Sequence, residues 1–400
     1  MKKNILIAFG GVSPEHEVSV LSAMQAISAL EDTSYSLLPL YITKSGRWLT
    51  GEYLLDLEHY QELDTLKEKA IPCTFSHNEM GKPVLLETKK RGLFSSPREH
   101  SIYAVLPAFH GSEGENGAFQ GTCEMYNLPF AGSGVLASSL GMNKVKAKEL
   151  CSAHDIPVVE SVHFFESQWE AGQKELLAEI DSIGYPVIVK PVNLGSSIGV
   201  KRADDRDSLI EAVETAFRYD ANLLVEKAIS PLMEINCAVL GDPEEARPSV
   251  CERPLGKEET LSFRDKYQNE NGGGKGMASA DRVIPADIPD KLTEQIQQMS
   301  LSIFRAFRAA GVARLDFLVN AETHEVFFNE INTIPGSFSF YLWEESGISI
   351  RDLMLQLIEI ARRQHQRKIG RVRSYETNLL SQKAVQGIKG LKGKQKNGET

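Results

Sequence analysis

Ala313-Arg314-Leu315-Asp316-Phe317 and, beyond a turn, Phe328-Asn329-Glu330-Ile331-Asn332 are the most informative stretch of this 400-residue chain. Side chains alternate across a strand, so Arg314 and Asp316 share a face, and Glu330 and Asn332 share a face of the next strand. Leu315, Phe317 and Ile331 fall on the opposite face, which reads as buried. Paired strands over Ala313 to Asn320 and Val326 to Asn332 would gather Asp, Glu and Asn oxygens beside an Arg. Such hard donors suit Mg2+, which usually also takes phosphate oxygens. A solvated hairpin with ordinary surface charges is the competing reading of this pattern alone.

Outward from this pair, Lys291 to Ala310 is a strongly amphipathic helix and Ile350 to Arg363 a final helix. At the other end, residues 4–10 read as a strand, Glu17 to Leu30 as a helix and Tyr35 to Ile42 as a second strand. This β-α-β start predicts a parallel sheet with crossover helices. Residues 45–100 show little periodicity and read as surface elaboration of the first domain. Ser101 to Pro107 is a further strand, running into the loop His110-Gly111-Ser112-Glu113-Gly114-Glu115-Asn116-Gly117. Functional loops often follow strand C-termini in open α/β sheets. Asn143 to His154 and Ser208 to Phe217 read as helices, and Val187 to Pro191 and Leu223 to Glu226 as strands. Asn269 to Gly276 is too glycine-rich for a regular element and reads as a mobile loop.

Three further constellations carry chemistry. Lys190 stands at a strand end before Gly195-Ser196-Ser197-Ile198-Gly199-Val200. Successive backbone N–H groups there would cradle an anion, with the lysine as a point charge. This is neither the P-loop pattern nor GxGxxG, and a tight hairpin explains it equally. In Leu223-Leu224-Val225-Glu226-Lys227-Ala228-Ile229, an edge strand ending in Glu226 could accept from an adenine amino group, with Glu234 accepting from ribose hydroxyls. An exposed Glu-Lys pair is the plainer reading. In Gly10-Gly11-Val12-Ser13-Pro14-Glu15-His16-Glu17-Val18-Ser19, Ser13 is a candidate N-cap. Glu15 and Glu17 either favour the helix dipole or bind a substrate ammonium.

Composition bounds the rest. Apolar residues are 42% and charged residues 24%, as in globular proteins, with no run of about 18 apolar residues to span a membrane. The five cysteines lack CxxC spacing and the nine histidines lack HExxH, so oxygen ligands should hold any metal. A reducing, cytoplasmic setting fits the cysteine usage. The net charge is −10, of which residues 366–400 contribute +7 and the remainder −17. An acidic body argues against a nucleic-acid partner. The basic tail reads as a disordered, solvated extension.

The order of these segments resembles the D-alanine–D-alanine ligase family of the ATP-grasp superfamily, from about residue 4 to residue 365. The matching stretches are GGVSPEHEVS (10–19), HGSEGENGAFQG (110–121), FAGSGVLASSLGMNK (130–144), VKPVNLGSSIGV (189–200), LLVEK (223–227), DKY (265–267), ARLDF (313–317) and NEINTIPG (329–336). The resemblance implies an α/β ATP-grasp fold: an N-terminal Rossmann-like domain (1–141), a central subdomain (142–228), a C-terminal subdomain with the Mg site (229–365) and the tail (366–400). It implies ATP-dependent joining of two D-alanine molecules through an acyl phosphate, giving ADP and phosphate for peptidoglycan synthesis in the cytoplasm. A homodimer is implied too, with no stable membrane insertion.

Residue roles follow from the same resemblance. Lys144 and Lys190 would hold the ATP phosphates, with the Ser196-Ser197 loop closing over them. Glu226, Lys227 and the Ile229 backbone would contact adenine, and Glu234 the ribose. Asp316, Glu330 and Asn332 would bind two Mg2+ ions, or Mn2+ in their place. Glu15 would hold the first D-alanine's ammonium and join Ser196 and Tyr267 in a hydrogen-bonded set. Lys266 would reach the γ-phosphate, and Arg314 with the Gly336 N–H would stabilise the tetrahedral oxyanion. The chain departs from the family at Tyr341, where a Ser usually helps bind the second substrate's carboxylate, and in residues 254–284 outside DKY. The second-substrate pocket is therefore expected to be reshaped. D-Lactate, D-serine or another amino acid is the alternative second substrate, and a nucleotide-binding protein without turnover is the alternative from another class.

Overall fold

The computed structural model describes residues 3–89, 97–255, 282–373 and 386. The β-α-β start forms as the sequence predicts. Strands β1 (Lys3–Gly10), β2 (Tyr35–Ile42) and β7 (Ala104–Pro107) are parallel. Ile5 to Phe9 are all at 0% exposure, because a parallel strand is covered on both faces. The crossover helix His16–Leu30 packs Val20, Ala23, Ile27 and Leu30 into this core.

Residues 45–100 do more than elaborate the surface. β3 (Trp48–Thr50), β4 (Ile71–His77), β5 (Pro83–Glu87) and β6 (Glu99–Ser101) extend the same sheet antiparallel, in the order β6-β5-β4-β3-β2-β1-β7. β3 and β6 are only three residues long, and helical segments over Glu52–Leu55, Leu57–Gln61 and Leu63–Lys69 part β3 from β4, which hides the period in the sequence.

A second sheet has the order β10-β9-β11-β8, formed by β8 (Ser161–Phe165), β9 (Val187–Pro191), β10 (Lys201–Ala203) and β11 (Asn222–Lys227), all antiparallel. β11 is thus an interior strand, contrary to the expected edge. Helices Glu166–Ile183 and Arg206–Ala216 share its core through Trp169, Leu177, Leu209 and Val213.

The third sheet, β14-β13-β12-β15-β16, is also antiparallel. It contains β12 (Leu232–Gly241), β13 (Ala246–Pro254), β14 (Arg282–Val283), β15 (Gly311–Asn320) and β16 (Val326–Asn332). The amphipathic helix Asp290–Ala306 puts Leu292, Ile296, Ile303 and Phe304 into its core. A fully buried side chain such as Phe304 contributes roughly 1.5–3 kcal/mol. Helix Lys144–Ala153, within the stretch expected to form the central subdomain, adds Ala147 and Cys151 to this third-sheet core.

Residues 1–363 form one compact unit. The second unit, from residue 364, begins within the last helix, Ile350–Ile369. Residues 366–369 of the expected tail are therefore helical. Lys266, Tyr267 and the Asn269–Gly276 loop lie outside the described residues. No helix among the described residues is long and apolar enough to cross a membrane.

Candidate active site

β15 and β16 pair in the register that the alternation requires: Arg314 opposite Asn332 and Asp316 opposite Glu330. The solvated-hairpin reading fails, because Arg314 is 6% and Asp316 9% exposed. The Arg314 guanidinium donates from Nε to Asp316 Oδ1 and from Nη2 to Oδ2, each at 2.7 Å. Asn332 Nδ2 donates to the same Oδ2 at 3.0 Å. Burial works against the Arg314 charge, but Asp316 outweighs it and holds the guanidinium's pKa above its usual range. A two-point Arg–carboxylate pair fixes orientation as well as charge.

A wall of lysines faces this pair. β9 ends with Lys190, which bonds Asn329 Oδ1 at 3.0 Å and Glu226 Oε2 at 2.5 Å. Lys148 reaches Glu226 Oε1 at 2.7 Å. Glu226 is 1% exposed. Its carboxyl, pushed up by burial and pulled down more strongly by Lys148 and Lys190, falls to about 2. Burial in turn lowers the pKa of Lys148. The Glu226 carboxylate is thus occupied by two ammonium groups, not left exposed as the plainer sequence reading had it. Lys148 had gone unnoticed in the sequence. Its position one helical turn after Lys144 places both on one face of their helix. Lys144 Nζ donates to the Leu194 carbonyl and lies 3.7 Å from Glu330.

The glycine-serine loop bends over this wall. Ser196 and Ser197 adopt left-handed φ values of 52° and 57°, which non-glycine residues hold at a cost of about 1–3 kcal/mol. Ser196 Oγ donates to Glu15 Oε1, so residues 181 positions apart meet as the resemblance implies. Ser13 accepts from the Glu15 N–H at 3.1 Å and donates to the His110 carbonyl at 2.8 Å. Gly111 must be glycine here: its φ is 70°, and a Cβ would stand 2.7 Å from Glu15 Oε2.

His110 and Glu115, to which sequence reasoning assigns no role, also enter the site. His110 Nε2 bonds Ser22 Oγ at 2.7 Å, and burial lowers its pKa to about 4. Ser22 also accepts from the Ser337 N–H at 3.0 Å, tying the first helix to the turn after Gly336. Glu115 accepts from Gly111 N at 2.9 Å and Ile334 N at 3.4 Å. Burial first, then the Glu15 charge, raises its pKa to about 8.

Two cavities result. The larger, about 1190 Å³, is lined by Lys144, Lys190, Ser197, Glu226, Lys227, Ile229, Glu234, Arg314, Asp316 and Glu330. The smaller, about 420 Å³, is lined by Glu15, Ser196, Asn332 and Gly336 together with Arg314 and Glu330. Arg314 and Glu330 line both. Tyr341 lines neither. It is 8% exposed, and its hydroxyl donates to Glu252 Oε1 at 3.3 Å. Burial, then Glu252, raises its pKa.

The D-ala D-ala ligase N-terminus model matches residues 4–133, and the D-ala D-ala ligase C-terminus model residues 150–359. The chain belongs to the D-alanine–D-alanine ligase family. The D-alanine–D-alanine ligase of Thermosipho melanesiensis is 36% identical over 94% of this chain and 98% of its own length. That of Chloroherpeton thalassium is 36% identical over 93% and 100%. The D-alanine-D-alanine ligase structure from Coxiella burnetii superimposes with a TM-score of 0.76 at 30% identity, over 92% of this chain and 96% of that one. The VanG D-Ala:D-Ser ligase of Enterococcus faecalis gives 0.75 at 30%, over 90% and 100%. The fold is therefore the mixed α/β ATP-grasp fold expected, and the chain is a ligase of an ATP-using family.

Proposed function

We propose that this enzyme joins two D-alanine molecules at the expense of ATP for peptidoglycan precursor synthesis. The observation that carries this reading is the pair of cavities sharing Arg314 and Glu330. A nucleotide in the larger cavity and an amino acid in the smaller would present γ-phosphate and carboxylate to each other there.

In the larger cavity Lys144 and Lys190 neutralise phosphate charge, and the left-handed Ser196-Ser197 turn offers backbone N–H groups to it. Glu226, Lys227 and Ile229 line the adenine end and Glu234 the ribose end. Glu226 acts chiefly by holding Lys190 in place. In the smaller cavity Glu15, held by Ser196, receives the first substrate's ammonium. That substrate's carboxylate oxygen attacks the γ-phosphorus and ADP leaves. The second substrate's amine then attacks the acyl carbon, and phosphate leaves with the C–O electron pair. Arg314 and the Gly336 N–H stabilise the oxyanion that forms in between.

Two Mg2+ ions complete the proposed site. Among the described residues no three His, Cys, Asp or Glu side chains converge on a metal position. Asp316 and Glu330, paired across the strands with Asn332 beside them, are two carboxylates and a carboxamide. Mg2+ is commonly held by one or two carboxylates plus substrate phosphates, so this donor set fits it. When bound it would neutralise phosphate charge.

Lys266 and Tyr267 are proposed to cover the γ-phosphate and the first substrate. The division at residues 141, 228 and 365, a homodimeric state and a cytoplasmic location are proposed with them. D-Serine, D-lactate or another amino acid as the second substrate is the alternative that Tyr341 keeps open, because its hydroxyl is turned to Glu252. Phosphate release with ATP, Mg2+ and D-alanine alone, then with D-serine or D-lactate added, separates these readings. ATP binding without ADP formation for any D-amino acid would leave only a nucleotide-binding protein.

A further inference from the structure

An amine-donating amino acid brings a carboxylate that needs a cation close to Arg314. Most cations on the larger cavity have other tasks. Lys144 and Lys190 face the phosphates, Lys227 donates to the Gly184 carbonyl, and Arg314 grips Asp316 at two points. Arg202, on β10 of the second sheet, is paired with the exposed Asp204 at 2.9 Å, whereas Arg282 stands on the sheet that carries Arg314. Arg282, at the start of β14, lines the same cavity. Its Nη1 donates to Glu252 Oε2 at 2.7 Å, and its guanidinium lies 4.0 Å over the Tyr341 ring. Glu252 is 1% exposed, and its Oε1 also accepts from Asn236 Nδ2 at 2.9 Å and from Tyr341. Arg282 is therefore braced by a carboxylate and stacked on a ring. A stacked guanidinium suits two-point recognition of a carboxylate.

We propose that Arg282, seated on Tyr341 and Glu252, binds the carboxylate of the second, amine-donating substrate beside Arg314. The inference rests on the ligase reading above. Tyr341 then acts as a positioning residue: its ring supports the cation that takes over the anchoring expected from a hydroxyl at that position. Glu252 keeps the guanidinium facing the cavity when no substrate is present. An amine donor lacking a carboxylate should be a poor second substrate.

The test offers D-alanine with ATP and Mg2+ and sets D-alanine against D-alaninamide as amine donor, reading the two products by mass. D-Alaninamide has no carboxylate to activate, so it competes only for the second position. The R282Q enzyme should lose its preference for D-alanine over D-alaninamide by about tenfold or more, and R282K, which keeps the charge without the fork, should lose less. Should R282Q fail to fold, R282K still decides, with a loss of several-fold expected. Oxygen-isotope scrambling in labelled ATP with D-alanine should persist in both variants, since it reports acyl-phosphate formation alone. An unchanged preference in the folded variants, with scrambling intact, overturns the inference and leaves the ligase reading standing. Absence of scrambling in the unaltered enzyme overturns both.

Discussion

Two walls meet at Arg314, and their charges are held differently. On the β15–β16 side, Arg314, Asp316 and Asn332 are bonded within one strand pair, so local register alone assembles them. On the β13–β14 side, Asn236 and Glu252 face each other across β12 and β13 and Arg282 follows on β14, but Tyr341 comes from the helix Phe340–Glu345, so this group is complete only when that helix packs on the sheet. In the proposed reaction the first wall serves chemistry that any second substrate needs, and the second is the one that varies with that substrate.

The sharpest break of this contrast is Arg314→Ala. It removes the guanidinium shared by both cavities, and kcat should fall roughly a hundredfold to a thousandfold for every amine donor. A loss confined to one donor would move Arg314 to the variable wall. Glu15→Gln comes next. It removes the charge proposed to face the first substrate's ammonium, so the first-site KM should rise about tenfold or more while the KM for ATP stays within a few-fold. Steady-state kinetics at saturating ATP checks this.

The loop after β7 adds a pH effect on stability. The His110 pKa is depressed to about 4 by burial against Ser22. Between that value and its ordinary 6.5 the unfolded chain binds the extra proton, so stability is full above pH 6.5 and is lost as pH falls toward 4. The loss should approach roughly 3 kcal/mol. Urea unfolding across this range should show the slope, and His110→Asn should flatten it. The smallest effect expected is that of Tyr341→Phe. It removes one hydrogen bond to Glu252 and should cost about 1 kcal/mol in the same unfolding assay, with the R282 stack intact.

The contrast also explains what the sequence made legible. Asp316, Glu330, Asn332 and Arg314 could be read because alternation along two neighbouring strands fixes their common face. The β-α-β start was legible for the same reason, as period and order suffice. Glu226 was placed on a strand correctly but at an edge wrongly, since strand order within a sheet is set by distant partners. Its pairing with Lys148 and Lys190 joins three segments, and no spacing rule announces it. The Glu252–Arg282 brace was illegible too: both residues look like ordinary charges until β13 and β14 pair. Tyr341 was visible only as a departure from a resembled family. Its hydroxyl partner depends on tertiary packing.

The most direct test of the central claim is the mass of the product formed from ATP, Mg2+ and D-alanine by the full chain. The account predicts D-alanyl-D-alanine in equal amount to ADP and phosphate. ADP formed without dipeptide, or no ADP with D-alanine present, would contradict it.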